Sequence, residues 1–321
     1  MRKLEILVER WPIAGSFTIS RGSRTEAVVV VARITEEGLT GMGECVPYAR
    51  YGESIDSVVA QIRSIEMALA SGAERRDLLA LLPAGAARNA VDCALWDLEA
   101  RQTGKSLAAL AEMPAPQPMI TAYTLSLGTP ETMREAAEKA AHRPLLKVKL
   151  GGEGDPERIA AVRAGAPKSR IVVDANEAWR AETLGPNLAA CEAAGVELIE
   201  QPLPAGEDAA LAGVKTPIAI CADESIHDAT SLAHLPAWYS AINIKLDKTG
   251  GLTDALALLK AGRAKGLKIM VGCMLGTSLA MKPAVLIGEG AEFVDLDGPL
   301  LLAKDREDAI RYEGSLLIPP A

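Results

Sequence analysis

The reading turns on the stretch 145–247, where five short apolar runs each carry charged residues at or near their ends. They are LLKVKL (145–150), RIVVDAN (170–176), VELIEQP (196–202), IAICADE (218–224) and AINIKLD (241–247). Lys147 and Lys149 come first, then Asp174, Glu200 and Asp223, then Lys245. Each step between runs has the length of a strand–helix–strand unit. Near-continuous apolar runs belong to parallel strands covered on both faces. In a barrel of such strands, side chains at the C-terminal ends converge on one site.

Working outward, MITAYTLSL (119–127) adds a strand before this stretch, and KIMVGCM (268–274) and FVDLDG (293–298) add two after it. Amphipathic segments such as PERIAAVRAGA and LTDALALLKAGRAKG lie between the runs, so the alternation reads as a (β/α)8-type barrel. Upstream the pattern differs. KLEILVERW and EAVVVVARITEEG read as strands, with SFTISRGSRTE as a loop between them. From Ser54 to about Glu112 the apolar period is helical, with ends at Gly72 and Gly104. The prolines of MPAPQPMI mark a boundary. The expected division is an α+β domain over 1–113 and a barrel over 114–299. Residues 300–321 resume a β-like alternation and are expected to return to the first domain.

Composition bounds the function. The 321 residues are 49% apolar but only 3% aromatic, and the net charge is −8. Few aromatics and an acidic balance argue against nucleic acid and anionic membrane surfaces as partners. Five cysteines without a CxxC pair fit a reducing compartment better than disulfides or a zinc site. There is no apolar run of signal-peptide or membrane-spanning length, and a cytoplasmic location is expected.

Asp174, Glu200 and Asp223 come from three successive strands. Three oxygen ligands with open positions left over suit Mg²⁺ better than Zn²⁺; otherwise strand-end acids cap helices or pair with lysines. Lys149 and Lys245 lie on strands far apart in the barrel and face each other across its mouth. Two opposed lysines can act on opposite faces of one carbon, and a nearby metal and second cation would lower a lysine's pKa into a useful range. Lys147 shares the side of its strand with Lys149. Asp295 and Asp297 share a face of the last strand, an arrangement that calls for a positive partner such as a metal, a substrate ammonium or a lysine. Arg21 and Arg24, in SRGSR, could bind an anionic group if the first domain caps the barrel. Tyr48 and Tyr51 lie in a Gly/Pro-rich segment that could close over the site. Cys273 ends the seventh strand, as a pocket residue or a buried structural thiol. His142, His227 and His234 read as surface or helix residues, and GGEGDP as a βα loop.

The set KVK, VVDAN, EQP, ADES, NIKLDKTGG and DLDGP, with SRGSR, resembles the dipeptide epimerases of the muconate lactonizing enzyme subgroup of the enolase superfamily, over essentially the whole chain. That resemblance implies a modified TIM barrel, (β/α)7β, with an α+β capping domain built from both termini. It implies one Mg²⁺ per subunit on Asp174, Glu200 and Asp223, with Lys149 and Lys245 as the acid/base pair. Lys147 would assist the bound carboxylate, Asp295 and Asp297 the α-ammonium of a dipeptide, and Arg24 a glutamate side-chain carboxylate. Thr124 would be a further substrate contact. The implied reaction is epimerisation of the glutamyl α-carbon in L-Ala-D/L-Glu dipeptides, by 1,1-proton transfer through an enediolate, in murein peptide metabolism. A small dipeptide is then the expected partner, with room left for a homo-oligomer. A cycloisomerase, an o-succinylbenzoate synthase or an N-acylamino acid racemase would leave Asp295 and Asp297 idle, because their substrates lack a free α-ammonium. A non-catalytic metal- or dipeptide-binding barrel would leave the opposed lysines unexplained.

Overall fold

The computed structural model describes residues 1–320. Three antiparallel strands open the chain, β1 (Lys3–Ile19), β2 (Gly22–Glu36) and β3 (Leu39–Cys45), in that spatial order. The valine run of β2 is continuous because both faces of this sheet are covered. Val30, Ala32 and Ile34 pack on the helices Ile55–Ser64 and Ala86–Thr103, while Val29 and Val31 meet Met274 and Leu279 on the barrel side. Gly41 and Gly43 let the Ala86–Thr103 helix approach β3 closely. A Cβ on either would strike the backbone oxygens of Ala94 or Ala90.

The barrel follows. After the short β4 (Met119–Ile120) come β5 (Tyr123–Leu125), β6 (Leu145–Lys149), β7 (Arg170–Asp174) and β8 (Val196–Glu200). Then follow β9 (Ala219–Ala222), β10 (Ala241–Ile244), β11 (Lys268–Val271) and β12 (Phe293–Val294). β5 to β12 form one parallel sheet in chain order. It closes where Thr121 bridges Val294 and Ala122 N donates to Val294 O at 2.8 Å. This is a modified TIM barrel carrying a separate α+β domain.

Three features differ from the expectation. Two of the seven crossovers, β8–β9 and β9–β10, carry only the 3-10 turns Ala209–Gly213 and Ser231–His234, not α-helices. SFTISRGSRTE is not a loop: β1 and β2 stay paired to Ile19 and Gly22, so Ser20 and Arg21 form the tip of a long ribbon. The C-terminal segment returns to the first domain only in part. Leu302 bridges Ile13, Ala303 N donates to Pro12 O, and Arg306 pairs with Glu9 at 2.6 Å and Glu44 at 2.7 Å. Beyond it β13 (Arg311–Glu313) pairs with β14 (Leu316–Ile318), and β14 pairs with β4, at the start of the barrel. Leu317 is fully buried there among barrel residues, which is a better place for it than the polar rim of the first sheet.

Strand parity then sorts the barrel. Leu146, Val148, Ile171, Val173, Ile199, Ile220, Ile242, Ile244, Ile269 and Val271 point outward to the surrounding helices. Inside, Ala122, Leu145, Val172, Leu198, Ala219, Cys221, Ala241, Met270 and Phe293 make an apolar floor. One pleat further along each strand, on the same inner face, stand the polar residues of the site.

Candidate active site

The step of two that builds the floor brings Thr124, Lys147, Asp174, Glu200, Asp223, Asn243 and Asp295 onto the same inner face, with Lys149, Lys245 and Asp297 one step further out, and together they make a polar layer over the floor. All are buried. Lys147 sits at its centre: its Nζ lies 2.7 Å from Asp295 Oδ2, 2.6 Å from Glu200 Oε2 and 3.4 Å from Asp174 Oδ2. Lys149 Nζ lies 2.6 Å from Asp174 Oδ2. Lys245 Nζ lies 2.6 Å from Asp223 Oδ2 and 3.5 Å from Glu200 Oε1. Asp297 accepts from the backbone N of Thr124 at 2.6 Å, so Thr124 enters the layer through its main chain.

Two members of this layer escaped the sequence reading. Asn243 Nδ2 donates to Glu200 Oε1 at 2.6 Å. Lys248 Nζ donates to Asp223 Oδ1 at 2.5 Å, to Asp223 O at 2.6 Å and to Asn243 O at 3.0 Å. The alternation of β10 could have exposed Asn243, since it is the polar inner position before Lys245. Lys248 carries no such signal, because it sits on the turn of helix Leu246–Thr249 and reaches back.

Above the layer is a cavity of about 450 Å³. Of the predicted residues, Arg24, Lys149, Asp223, Lys245 and Cys273 line it, together with Tyr48, Tyr51 and Glu224. Lys147, Asp174, Glu200, Asp295 and Asp297 do not line it, and Thr124 lines a separate cavity with Phe17 and Tyr123. The β1–β2 ribbon roofs it. Arg21 donates to Asn176 O at 3.0 Å, Tyr48 Oη at 2.9 Å and Glu224 Oε1 at 2.9 Å, while Arg50 forks onto Glu177 with two bonds of 2.7 Å. Arg24, across the ribbon from Phe17, is exposed at the rim. His227 is half-buried and stacks edge-on against Tyr51 at 4.8 Å, not on the open surface.

The electrostatics follow from packing like charges and lysines in a dry layer. Burial alone would lower the pKa of Lys147, but Asp295, Glu200 and Asp174 outweigh it and hold it well above the ordinary range. Lys245 behaves alike, raised by Asp223 and Glu200 against its own burial. Asp174 and Asp223 are held low against burial, by Lys149 and Lys147 and by Lys245 and Lys248 respectively. Glu200 is pushed up, first by burial and then by Asp174. Glu224 is pushed up to about 8 by burial and by Asp223 and Asp174. Asp297 is pushed up to about 7 by burial and by Asp295.

The fit of a cation rests on the donor set. The carboxylates are joined through lysines and not aimed at one common point. Yet Glu200 Oε2, fully buried, lies near Lys147 without hydrogen-bond geometry and has no other partner. An oxygen-only set containing such an atom, on the one carboxylate of the three that burial and a neighbouring acid push up, suits a hard divalent ion.

The comparisons agree with this geometry. Residues 1–111 match the mandelate racemase / muconate lactonizing enzyme N-terminal domain, and residues 131–314 the enolase C-terminal domain-like model. The chain is 49% identical to L-Ala-D/L-Glu epimerase of Escherichia coli, over 97% of this chain and 98% of that one. It is 45% identical to an N-acetyl-D-glutamate racemase of Pseudoalteromonas, over 91% and 93%. A crystal structure of an Agrobacterium tumefaciens enolase family member with homology to dipeptide epimerases, with bound sodium and L-Ala-L-Glu, superposes with a TM-score of 0.98. That pair is 53% identical, over 100% and 98% of the two chains. A dipeptide epimerase from Methylococcus capsulatus, complexed with Mg and L-Arg-D-Lys, gives a TM-score of 0.88 at 28% identity over 99% and 96%. With two lysines lining one cavity beside a row of buried carboxylates, and both domain models matched in order, the chain is an isomerase and belongs to the dipeptide epimerases of the mandelate racemase/muconate lactonizing enzyme group in the enolase superfamily.

Proposed function

We propose that the protein epimerises the glutamyl α-carbon of L-Ala-D/L-Glu dipeptides by proton transfer between Lys149 and Lys245. One observation carries the reading. These lysines stand four strands apart in a ring of eight and line the same cavity, with the carboxylate row between them. A substrate α-carbon over that row has one ammonium or amine on each face. One lysine takes the α-proton, the other returns a proton to the opposite face, and the configuration inverts. The reverse reaction exchanges their roles. Mg²⁺ held by Asp174, Glu200 and Asp223 would supply fixed positive charge for the substrate carboxylate and the enediolate that develops from it. Lys147, held protonated by its three carboxylate neighbours, adds positive charge at the same layer.

The substrate's ends find complementary groups. Asp295 Oδ1 is buried without a hydrogen-bond partner, and Asp297 lies on the same face, so a dipeptide α-ammonium has a charged seat there. Arg24 at the rim supplies a cation for the glutamate side chain. Peptides containing D-Glu place the reaction in the breakdown of murein peptides. The 45% identity to an N-acetyl-D-glutamate racemase favours a second reading, racemisation of an N-acylated glutamate, which would not use the Asp295–Asp297 seat. Incubation of L-Ala-L-Glu and of N-acetyl-L-glutamate with Mg²⁺ in D₂O separates the two. Deuterium and inversion at the glutamyl α-carbon of the dipeptide support the proposal. Turnover of N-acetylglutamate alone replaces it with the second reading, and exchange in neither compound defeats both.

A further inference from the structure

NIKLDKTGG carries more than Lys245. Its remaining residues are gripped by the capping domain, through three polar side chains buried in the otherwise Ala/Leu-rich helix Ala86–Thr103. Arg88, Asn89 and Asp92 are 5%, 1% and 1% exposed. At positions i, i+1 and i+4 they face one way. Asn89 Nδ2 donates to Asp247 Oδ1 at 2.9 Å, and the same oxygen accepts from Val46 N at 3.0 Å. Arg88 Nη2 donates to Thr249 O at 2.6 Å and to Asp254 Oδ2 at 2.9 Å, and Nε to Gly250 O at 3.2 Å. Asp92 accepts from Thr253 N at 3.0 Å and Thr253 Oγ1 at 2.5 Å, satisfying the start of helix Leu252–Ala264 from outside.

The glycines belong to this grip. Gly250 and Gly251 have φ of 77° and 113°, and an added Cβ would strike Arg88 at the first and Asp92 at the second. The turn after Lys245 is therefore shaped to fit the helix of another domain. Lys245 is the residue at which that turn begins, capping helix Leu246–Thr249, and its own C=O accepts from Lys248 N and Thr249 N at 3.0 Å each. Val46, held by Asp247, and Tyr48 and Tyr51 just beyond it line the cavity over Lys245.

We propose that Asp247, with Asn89 behind it, is a positioning residue for Lys245: the capping helix sets where one of the two lysines stands, while Lys149, carried on β6, is paired to Asp174 within the barrel and meets the first domain at the ring of Phe17, 5.9 Å from its Nζ. The inference rests on the two-lysine reading above. It predicts an asymmetric defect. Loss of the contact weakens proton exchange on the face served by Lys245 and spares the face served by Lys149.

The experiment measures α-proton exchange in D₂O from L-Ala-L-Glu and L-Ala-D-Glu separately, alongside inversion, with melting temperature as a fold check. Lys245→Ala identifies the diastereomer that Lys149 alone still exchanges. Asp247→Ala is expected to slow inversion and exchange of the other diastereomer by about 10- to 100-fold, the scale of a small misplacement of a reacting group. Exchange of the Lys149 diastereomer is expected to stay within about threefold of wild type on the same scale. Asp247→Asn keeps an acceptor oxygen for Val46 and Asn89 and should restore the balance. Asn89→Ser, a smaller cut made from the capping side, serves if Asp247→Ala does not fold. Equal loss for both diastereomers, or no loss in either, overturns the positioning role. Absence of exchange by the wild-type protein overturns the two-lysine reading instead.

Discussion

The polar layer and the ribbon that roofs it are built on opposite principles. In the layer, Lys147, Asp174, Glu200, Asp223 and Lys245 come from barrel strands or their ends, lie at or near full burial and are joined by ion contacts. In the roof, Arg21, Arg24 and Arg50 come from exposed hairpin and loop positions, and Arg21 and Arg50 reach the barrel through a few partly solvated bonds. Removing one charge from a dry, mutually paired set leaves its partners uncompensated, whereas an exposed pair contributes little. On the proposed roles, proton transfer sits where substitutions cost most and Arg24 where they cost least, while Asp295 and Asp297 would serve the substrate from within the costly layer.

The sharpest way to break that contrast is at the lysines. Lys149→Ala and Lys245→Ala should each lower inversion by at least about 1,000-fold, within the range of a lost acid/base group, measured by chiral separation of the dipeptide products. A loss confined to about tenfold for either would mean that the layer does not carry the proton transfer. Next, chelation of divalent metal should abolish turnover, with recovery on adding Mg²⁺ and no recovery in Asp223→Asn. Persistent turnover after chelation would detach the carboxylates from the reaction.

At the edge of the layer, Asp297→Asn should reduce kcat/KM on L-Ala-L-Glu by about 30-fold, near 2 kcal/mol for a buried charge pair, and leave N-acetylglutamate turnover unchanged. Equal losses on both substrates would remove Asp297 from ammonium binding. The same residue sets a pH dependence. Burial and Asp295 raise Asp297 to about 7, so it carries a proton below that pH and cannot oppose an ammonium charge. KM for the dipeptide should therefore fall as pH rises through about 7, and Asp297→Asn should flatten that limb. In the roof, Arg21→Met should raise KM only about fivefold with kcat little changed, the scale of a partly solvated ion pair. A collapse of kcat would place the ribbon tip in the chemistry and erase the comparison.

The layer was legible in the chain because its residues repeat one local pattern: an apolar run with a two-residue period and a polar residue where the strand ends. Each of Asp174, Glu200 and Asp223 could be picked out within its own run of seven residues. The roof was less so. SRGSR looks like a loop because glycine and serine break propensity, and only pairing with β1 across Phe17 and Arg24 keeps it extended. The crossovers after β8 and β9 lack α-helices, and nothing in the short stretch between the runs states that a 3-10 turn suffices. Arg88, Asn89 and Asp92 were invisible in a segment that reads as an ordinary Ala/Leu helix, since their partners lie roughly 160 residues away. Lys248 was missed for a related reason: its Nζ leaves the turn and returns to Asp223.

The apolar floor beneath the layer has a consequence for traffic. With Leu145, Val172, Leu198, Met270 and Phe293 plugging the barrel, the cavity has a blind end. Whatever enters past the ribbon must leave past it, so entrant and leaver use the same doorway and wait for the same opening. For a reaction whose two participants differ only in handedness at one carbon, a single shared door suffices. It also means that a ligand wedged between Arg21 and Glu224 would halt arrivals and departures together.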